Sequence, residues 1–176
     1  MKRHVKEVTM AFLFITILSV GTLFGISDAP AQDMGLAQQI QGSWVLVSMY
    51  NERDGKKTEL FGPNPRGSMI LAPDGRFSMI LINANLPKFA SNIRLKGTAE
   101  ENKAIVQGSL AYFGTYKIAD EKANKVTLNI EKSTYPNWDS QEQQRTMTVI
   151  GDEMMFIGTT TTVGGGINYL SWKRVK

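Results

Sequence analysis

Side chains able to do acid–base, nucleophilic or metal chemistry are scarce in this chain. It holds no Cys and one His, His4, close to the N-terminus. Disulfides, thiolate zinc sites, a Cys nucleophile and a lipidated Cys are thereby excluded. If the leader read below is removed, no His remains, and His triads, His metal sites and a His acid or base are excluded too. Ser68, Ser78 and Ser109 then have no base to activate them. Asp54, Asp74, Asp120, Asp152 and Glu153 fall at turns or polar faces and suggest neither an acid/base pair nor an oxygen-only calcium loop.

The chemistry left is that of binding. Arg145 follows Gln143 and Gln144 and shares the parity of Met147. Turned inward, its guanidinium is a natural anchor for a carboxylate; turned outward, it belongs to a solvated polar stretch. Tyr135-Pro136-Asn137-Trp138 offers a hydroxyl and an indole N–H at a strand end, or equally a rigid Pro-Asn turn. Phe77, Met79, Phe89, Tyr112, Tyr116, Met147, Met154 and Phe156 supply apolar bulk, for a pocket or for a filled core. The candidate ligand-binding set is Phe77, Met79, Tyr112, Tyr116, Tyr135, Trp138, Arg145 and Met147. Phe61-Gly-Pro-Asn-Pro65 and Gly164-Gly165-Gly166 precede strands rather than helices, so neither is a phosphate cradle.

The elements that must position these residues are mostly strands. Residues 33–41 suit a short helix, with Asp33 as its N-cap. After it the apolar period is two. Strands are expected at 44–50, 67–72, 76–82, 111–118, 125–131, 143–150, 154–162 and 167–175. Pro73-Asp74-Gly75 makes the second and third a hairpin. Thr98-Ala-Glu-Glu101 is a capping box that starts one helix between the third and fourth strands, running to near Gly108. Val126, Leu128 and Ile130 should face inward, opposite Lys125, Thr127, Asn129 and Glu131. Eight strands joined mainly by short turns imply an all-β fold, an eight-stranded antiparallel up-and-down barrel. A two-sheet sandwich is the competing architecture.

The chain's 176 residues, 42% apolar and 20% charged, suit one globular domain with an added terminal segment. Lys2, Arg3 and Lys6 precede an uncharged run from Ala11 to Ile26, and Ala29-Pro30-Ala31 supplies small residues for a peptidase. Residues 1–31 therefore read as a signal peptide cleaved after Ala31, with an uncleaved anchor as the alternative, and residues 32–176 as the folded domain. The expected location is periplasmic or secreted. The net charge of +4 is spread without a basic block, so no nucleic-acid partner is expected, and no membrane partner after cleavage.

Gly42-Ser43-Trp44 at the first strand and Arg174 in the last resemble the start and end of lipocalins. Between them, Phe61-Gly-Pro-Asn-Pro65, Pro73-Asp-Gly-Arg-Phe77, Phe113-Gly-Thr-Tyr116 and Tyr135-Pro-Asn-Trp138 resemble, in order and spacing, the bacterial and fungal lipocalin-like domain family. The resemblance implies a small calycin-type barrel over residues 40–176 and gives Trp44 and Arg174 a structural role, the Arg packing across the Trp to close the barrel floor. Lys173 would replace Arg174 if the register slipped by one. The resemblance supplies no catalytic residue and no cofactor. It implies room for a small-molecule cavity and no reaction, and the first reading is an exported barrel that binds a small apolar or amphipathic molecule. The alternatives are an isomerase or cyclase acting on a polyketide- or lipid-like substrate through Tyr, Arg or Asp, and a packed barrel that contacts a partner through its loops.

Overall fold

The structure, a computed structural model, describes residues 34–176. The expected signal peptide, its cleavage point and Asp33 lie outside the described residues. A short helix α1 (Leu36–Ile40) precedes β1 (Gly42–Arg53), β2 (Lys56–Thr58), β3 (Arg66–Leu71) and β4 (Arg76–Ile82). Helix α2 (Ala99–Gly108) then leads into β5 (Ser109–Asp120), β6 (Lys125–Ser133), β7 (Glu142–Ile150), β8 (Glu153–Gly158) and β9 (Ile167–Arg174).

From β3 onward each strand pairs antiparallel with the next, β1 pairs with β3, and β9 returns to β1. The result is a closed barrel of eight strands. Closure leaves no long edge open to another chain, and it excludes the sandwich. The short β2 is a ninth strand that the periodicity did not suggest. It folds back on the end of β1 across Asp54-Gly55, both at positive φ, as a two-residue hairpin demands. Lys56, Lys57 and Thr58 are all exposed, so no apolar alternation marked them. Two ends also differ from expectation. β8 stops at Gly158 rather than Thr162, because residues 159–166 leave the ladder as a glycine-rich loop. The N-cap of α1 is Gly35, without a side-chain cap bond.

Alternation turns one row of each strand inward. On β4 the buried residues are Phe77, Met79 and Leu81; on β6 they include Val126, Leu128 and Ile130. Thr127 points the other way and is buried all the same, under the Gln144 side chain, whose amide donates to its Oγ1 at 2.7 Å. β1 keeps its inward row only by a bulge between Leu46 and Ser48, which moves the parity from Trp44 and Leu46 to Met49 and Asn51. A second bulge between Phe113 and Gly114 brings β6 so close that a Cβ on Gly114 would stand 1.9 Å from the Asn129 carbonyl oxygen. Only glycine fits there.

The two ends of the barrel are built differently. One end carries α1 and the tight turns after β3, β5 and β7. The other carries the long connections: 59–65, 83–108 with α2, 134–141 with a 3-10 turn at Pro136–Trp138, and 159–166. We call the first the floor and the second the mouth.

Candidate functional site

At the floor, register pairs Trp44 with Arg174, not with Lys173. The Arg174 guanidinium lies 4.2 Å from the centroid of the fully buried Trp44 ring. It also donates to the carbonyls of Gln39 and Gln41, each at 2.6 Å, and so satisfies two carbonyls at the end of α1. The Trp44 indole donates to Ile40 O at 2.8 Å. These bonds stitch α1, β1 and β9 into a plug.

Above the plug the lumen is apolar: Trp44, Met69, Leu71, Phe77, Val126, Met147, Met154 and Trp172 fill it. The Trp172 indole N–H is a buried donor without a partner in this half. Thr127 faces outward, and the other four buried polar or charged residues gather in the mouth half instead. They are Asn51 near the end of β1, Asn168 near the start of β9, and Gln143 and Arg145 near the start of β7. Asn51 Nδ2 donates to Asn168 Oδ1 at 2.9 Å and to Gly165 O at 3.2 Å, tying the 159–166 loop to the barrel. The Thr161 hydroxyl donates to Gly165 O and accepts from Gly165 N, closing the same loop on itself.

Arg145 points into the lumen and is only 3% exposed. Its Nη1 donates to the Gln144 carbonyl at 2.7 Å and its Nη2 to Gln143 Oε1. Its guanidinium lies 5.7 Å from the centroid of Phe156, and the Tyr112 phenol is close enough to act on its charge. Its stem lies on Gly158, where a Cβ would stand 2.8 Å from Cδ and Nε. Glycine at 158 is what lets the side chain lie down inside the barrel. Among the described residues no Asp or Glu is buried, and none forms an ion pair with Arg145. Burial pulls the guanidinium pKa below its ordinary value, partly offset by Tyr112. Burial raises the Tyr112 phenol, and the nearby Arg145 partly offsets that. Arginine keeps its charge in proteins, so the side chain is a cation beside a phenol that burial holds protonated.

Gln143, 2% exposed, stands two residues nearer the mouth on the same inward face. Its Oε1 is held by Arg145, while its Nε2 has no partner. Turning the amide over would set two donors against each other, so the unmet group is the N–H₂.

A cavity of about 20 Å³ remains beside Arg145, Tyr112, Trp138, Phe156 and Leu170, roofed by Phe61, Thr160 and Thr162. That is room for about one water. Larger hollows of about 340 and 380 Å³ lie on the outer faces of the barrel, one around Val47, Ile150 and Met155, the other around Ile80 and Phe113. They are open, and Asn51, Gln143, Arg145 and Asn168 line neither of them. A third hollow, about 550 Å³, lies between the β1–β2 hairpin and Val163, and Asn51 forms part of its wall. Asn51 thus joins the wall of this outer hollow to the loop that carries two residues of the cavity roof.

Of the eight residues proposed from sequence as a binding set, the structure brings Tyr112, Trp138 and Arg145 to this cavity. Tyr112 and Trp138 meet edge to face at 5.4 Å, and Tyr135 meets Trp138 the same way at 5.9 Å while only partly buried. Met79 accepts the Tyr112 hydroxyl at 2.9 Å, is fully buried, and does not line the cavity. Phe77, Tyr116 and Met147 are buried farther toward the floor, and Tyr116 donates to Ala72 O at 2.8 Å. These three lie away from the cavity. The sequence marks Phe61 only as part of a loop and Gln143 only as part of a polar stretch, and it does not mark Asn51, Gly158 or Asn168. Gln143 shares the parity of Arg145 and could have been found from it. Asn51 is placed inward by a bulge that no local pattern announces.

The lipocalin-like domain model matches residues 41–175. The chain is also 29% identical over 89 residues to the 4'-hydroxy-3'-methoxypropiophenone carrier protein ppsC of Aspergillus oryzae, a match spanning 46% of this chain and 80% of that protein. With a closed antiparallel barrel and a family model matching nearly all of it, this chain belongs to the lipocalin-like domain family.

Proposed function

We propose that the protein is an exported carrier that holds a small apolar or amphipathic molecule in the mouth half of its barrel. The observation that supports this reading is the segregation of the lumen. Its floor half is filled with hydrocarbon and aromatic side chains, and its mouth half concentrates Asn51, Gln143, Arg145 and Asn168 beside Tyr112 and Trp138. A barrel needing only a core gains nothing by burying a guanidinium, because desolvating it costs several kcal/mol. A barrel that orients a ligand needs a few convergent polar groups in an aromatic wall. The relative's name supports the same reading, since it denotes a carrier of a small phenolic ketone.

Ligand pockets run to roughly 300 Å³ and more, so the 20 Å³ cavity must open. The 159–166 loop is the part able to move: it lies outside the ladder, and its ties to the barrel include the Asn51 bond. The narrowness favours a second reading, a packed barrel that acts through its loops.

Export is part of the proposal. It rests on the basic start, the uncharged run and the Ala29-Pro30-Ala31 site. N-terminal sequencing of the protein from its own host should begin at Gln32.

Fluorescence titration tests the binding reading, with 4'-hydroxy-3'-methoxypropiophenone as the first probe and native mass spectrometry of protein purified gently from its host as the open search. Saturable quenching lost in Trp138→Phe, or a small molecule carried through purification, supports a carrier. A protein that carries nothing and shows no saturable response to a panel of small aromatics would leave the packed barrel.

A further inference from the structure

We propose that the molecule carried in the lumen is a small aromatic acid, its carboxylate seated between Arg145 and Gln143. This rests on the reading that the lumen takes a ligand, and it names the ligand's class. Two observations carry it. The Arg145 guanidinium is buried and has no acid among the described residues to neutralise it. Beside it, Gln143 Nε2 is a buried donor with no acceptor. The surplus at this spot is therefore of one kind: a positive charge and N–H donors, lacking negative charge and lone pairs. A carboxylate supplies both, with one oxygen for the guanidinium and one for the amide. A neutral alcohol or ketone supplies acceptors but leaves the charge unpaired. An amine repeats the surplus.

The aromatic part of the class follows from the walls. Tyr112, Trp138, Phe156 and Phe61 surround the cavity, and they suit a flat ring met by edges and faces. The order along β7 sets the orientation. Gln143 is nearer the mouth and Arg145 deeper, so the acid lies against the β7 wall while the ring lies under Trp138 and the 159–166 loop.

The test compares trans-cinnamate with its neutral isostere cinnamamide by isothermal titration at pH 7, on the full-length protein and on Arg145→Met. On the unaltered protein we expect cinnamate to bind at least about tenfold more tightly, the scale of one charge-assisted bidentate contact. In Arg145→Met the preference should vanish, with cinnamate bound no more tightly than cinnamamide. Equal binding of the two by the unaltered protein overturns the acid class and leaves the carrier reading standing. Binding of neither, in a protein that binds the propiophenone, overturns the acid class in the same way. Binding of none of the three overturns this inference together with the carrier reading. The comparison on the unaltered protein decides the matter even if the variant fails to fold.

Discussion

Replacing Gln143 and Arg145 together by Leu and Met should make the protein more stable while abolishing its preference for acids. Burying the guanidinium costs several kcal/mol before its contacts are counted. The unmet Gln143 Nε2 adds about 1–3 kcal/mol. Against this stand the bonds to Gln143 Oε1 and Gln144 O and the face of Phe156 at 5.7 Å, a cation–π contact of about 1 kcal/mol. Removing both partners at once leaves neither side chain unpaired, and exchanging a buried polar cluster for apolar groups of similar volume gains about 1–4 kcal/mol. We take the middle, about 2 kcal/mol, as the expected gain. For a domain of this size that raises the melting temperature by about 4–8 °C. Thermal unfolding followed by circular dichroism reads it directly. A double variant that melts several degrees lower would show that the cluster is a structural keystone, and the case for a ligand anchor would fall with it.

Arg174→Met should cost about 2–4 kcal/mol, since it frees the carbonyls of Gln39 and Gln41 and uncovers Trp44; a lower urea midpoint with unchanged ligand preference is expected. Gly114→Ala should cost about 3 kcal/mol or more, because its Cβ meets the Asn129 carbonyl at 1.9 Å; unchanged thermal stability would refute the close approach. Gly166→Ala should hold the mouth loop off Asn51, since a Cβ there meets Asn51 Oδ1 at 2.6 Å at a φ of +85°, and stopped-flow fluorescence should show both faster binding and faster release. The Asp139 carboxyl is held below the ordinary carboxylate range by the Lys132 ammonium and also accepts from the Ser133 amide. Its contribution is present above the unfolded Asp pKa and is lost as pH falls through the lowered folded value. Acidification below about pH 4 should therefore change the Trp138 emission. Asp139→Asn should remove that transition.

The barrel was legible because its strands alternate cleanly and its turns carry their own chemistry. Lys125 to Ile130 declares its inner face, and Pro73-Asp74-Gly75 declares its turn. Eight strands with short turns suggested a barrel, but the Trp44–Arg174 resemblance was what set it above the sandwich, since no local pattern says that β9 returns to β1. The site was harder. Parity placed Arg145 beside Met147 without saying which way both point, because a one-residue slip inverts a whole strand. The candidate set also spread along the full barrel length, with Phe77 and Tyr116 chosen for their type. Depth is a property of the register among strands, and no single strand carries it. Asn51 escaped because a bulge resets the inward row of β1. Lys56–Thr58 escaped because an exposed hairpin strand needs no apolar face, although Asp54-Gly55 was a signal for it.

A lumen nearly full in this conformation is consistent with a carrier once the two ends are compared. The floor is held by Arg174 and Trp44 to three carbonyls of the α1 segment, bonds that join the helix to the first and last strands. The mouth is filled by groups on connections: Trp138 on a 3-10 turn, Thr160 and Thr162 on the glycine-rich loop, and Phe61 ahead of β3. Displacing these breaks few ladder bonds, whereas making room at Met147 or Met154 would mean separating paired strands. Free energy spent on opening is subtracted from affinity. A ligand must then recover it through a contact the closed state lacks. The unpaired charge at Arg145 is the strongest such contact the interior offers, and it lies at the depth where the movable side chains end.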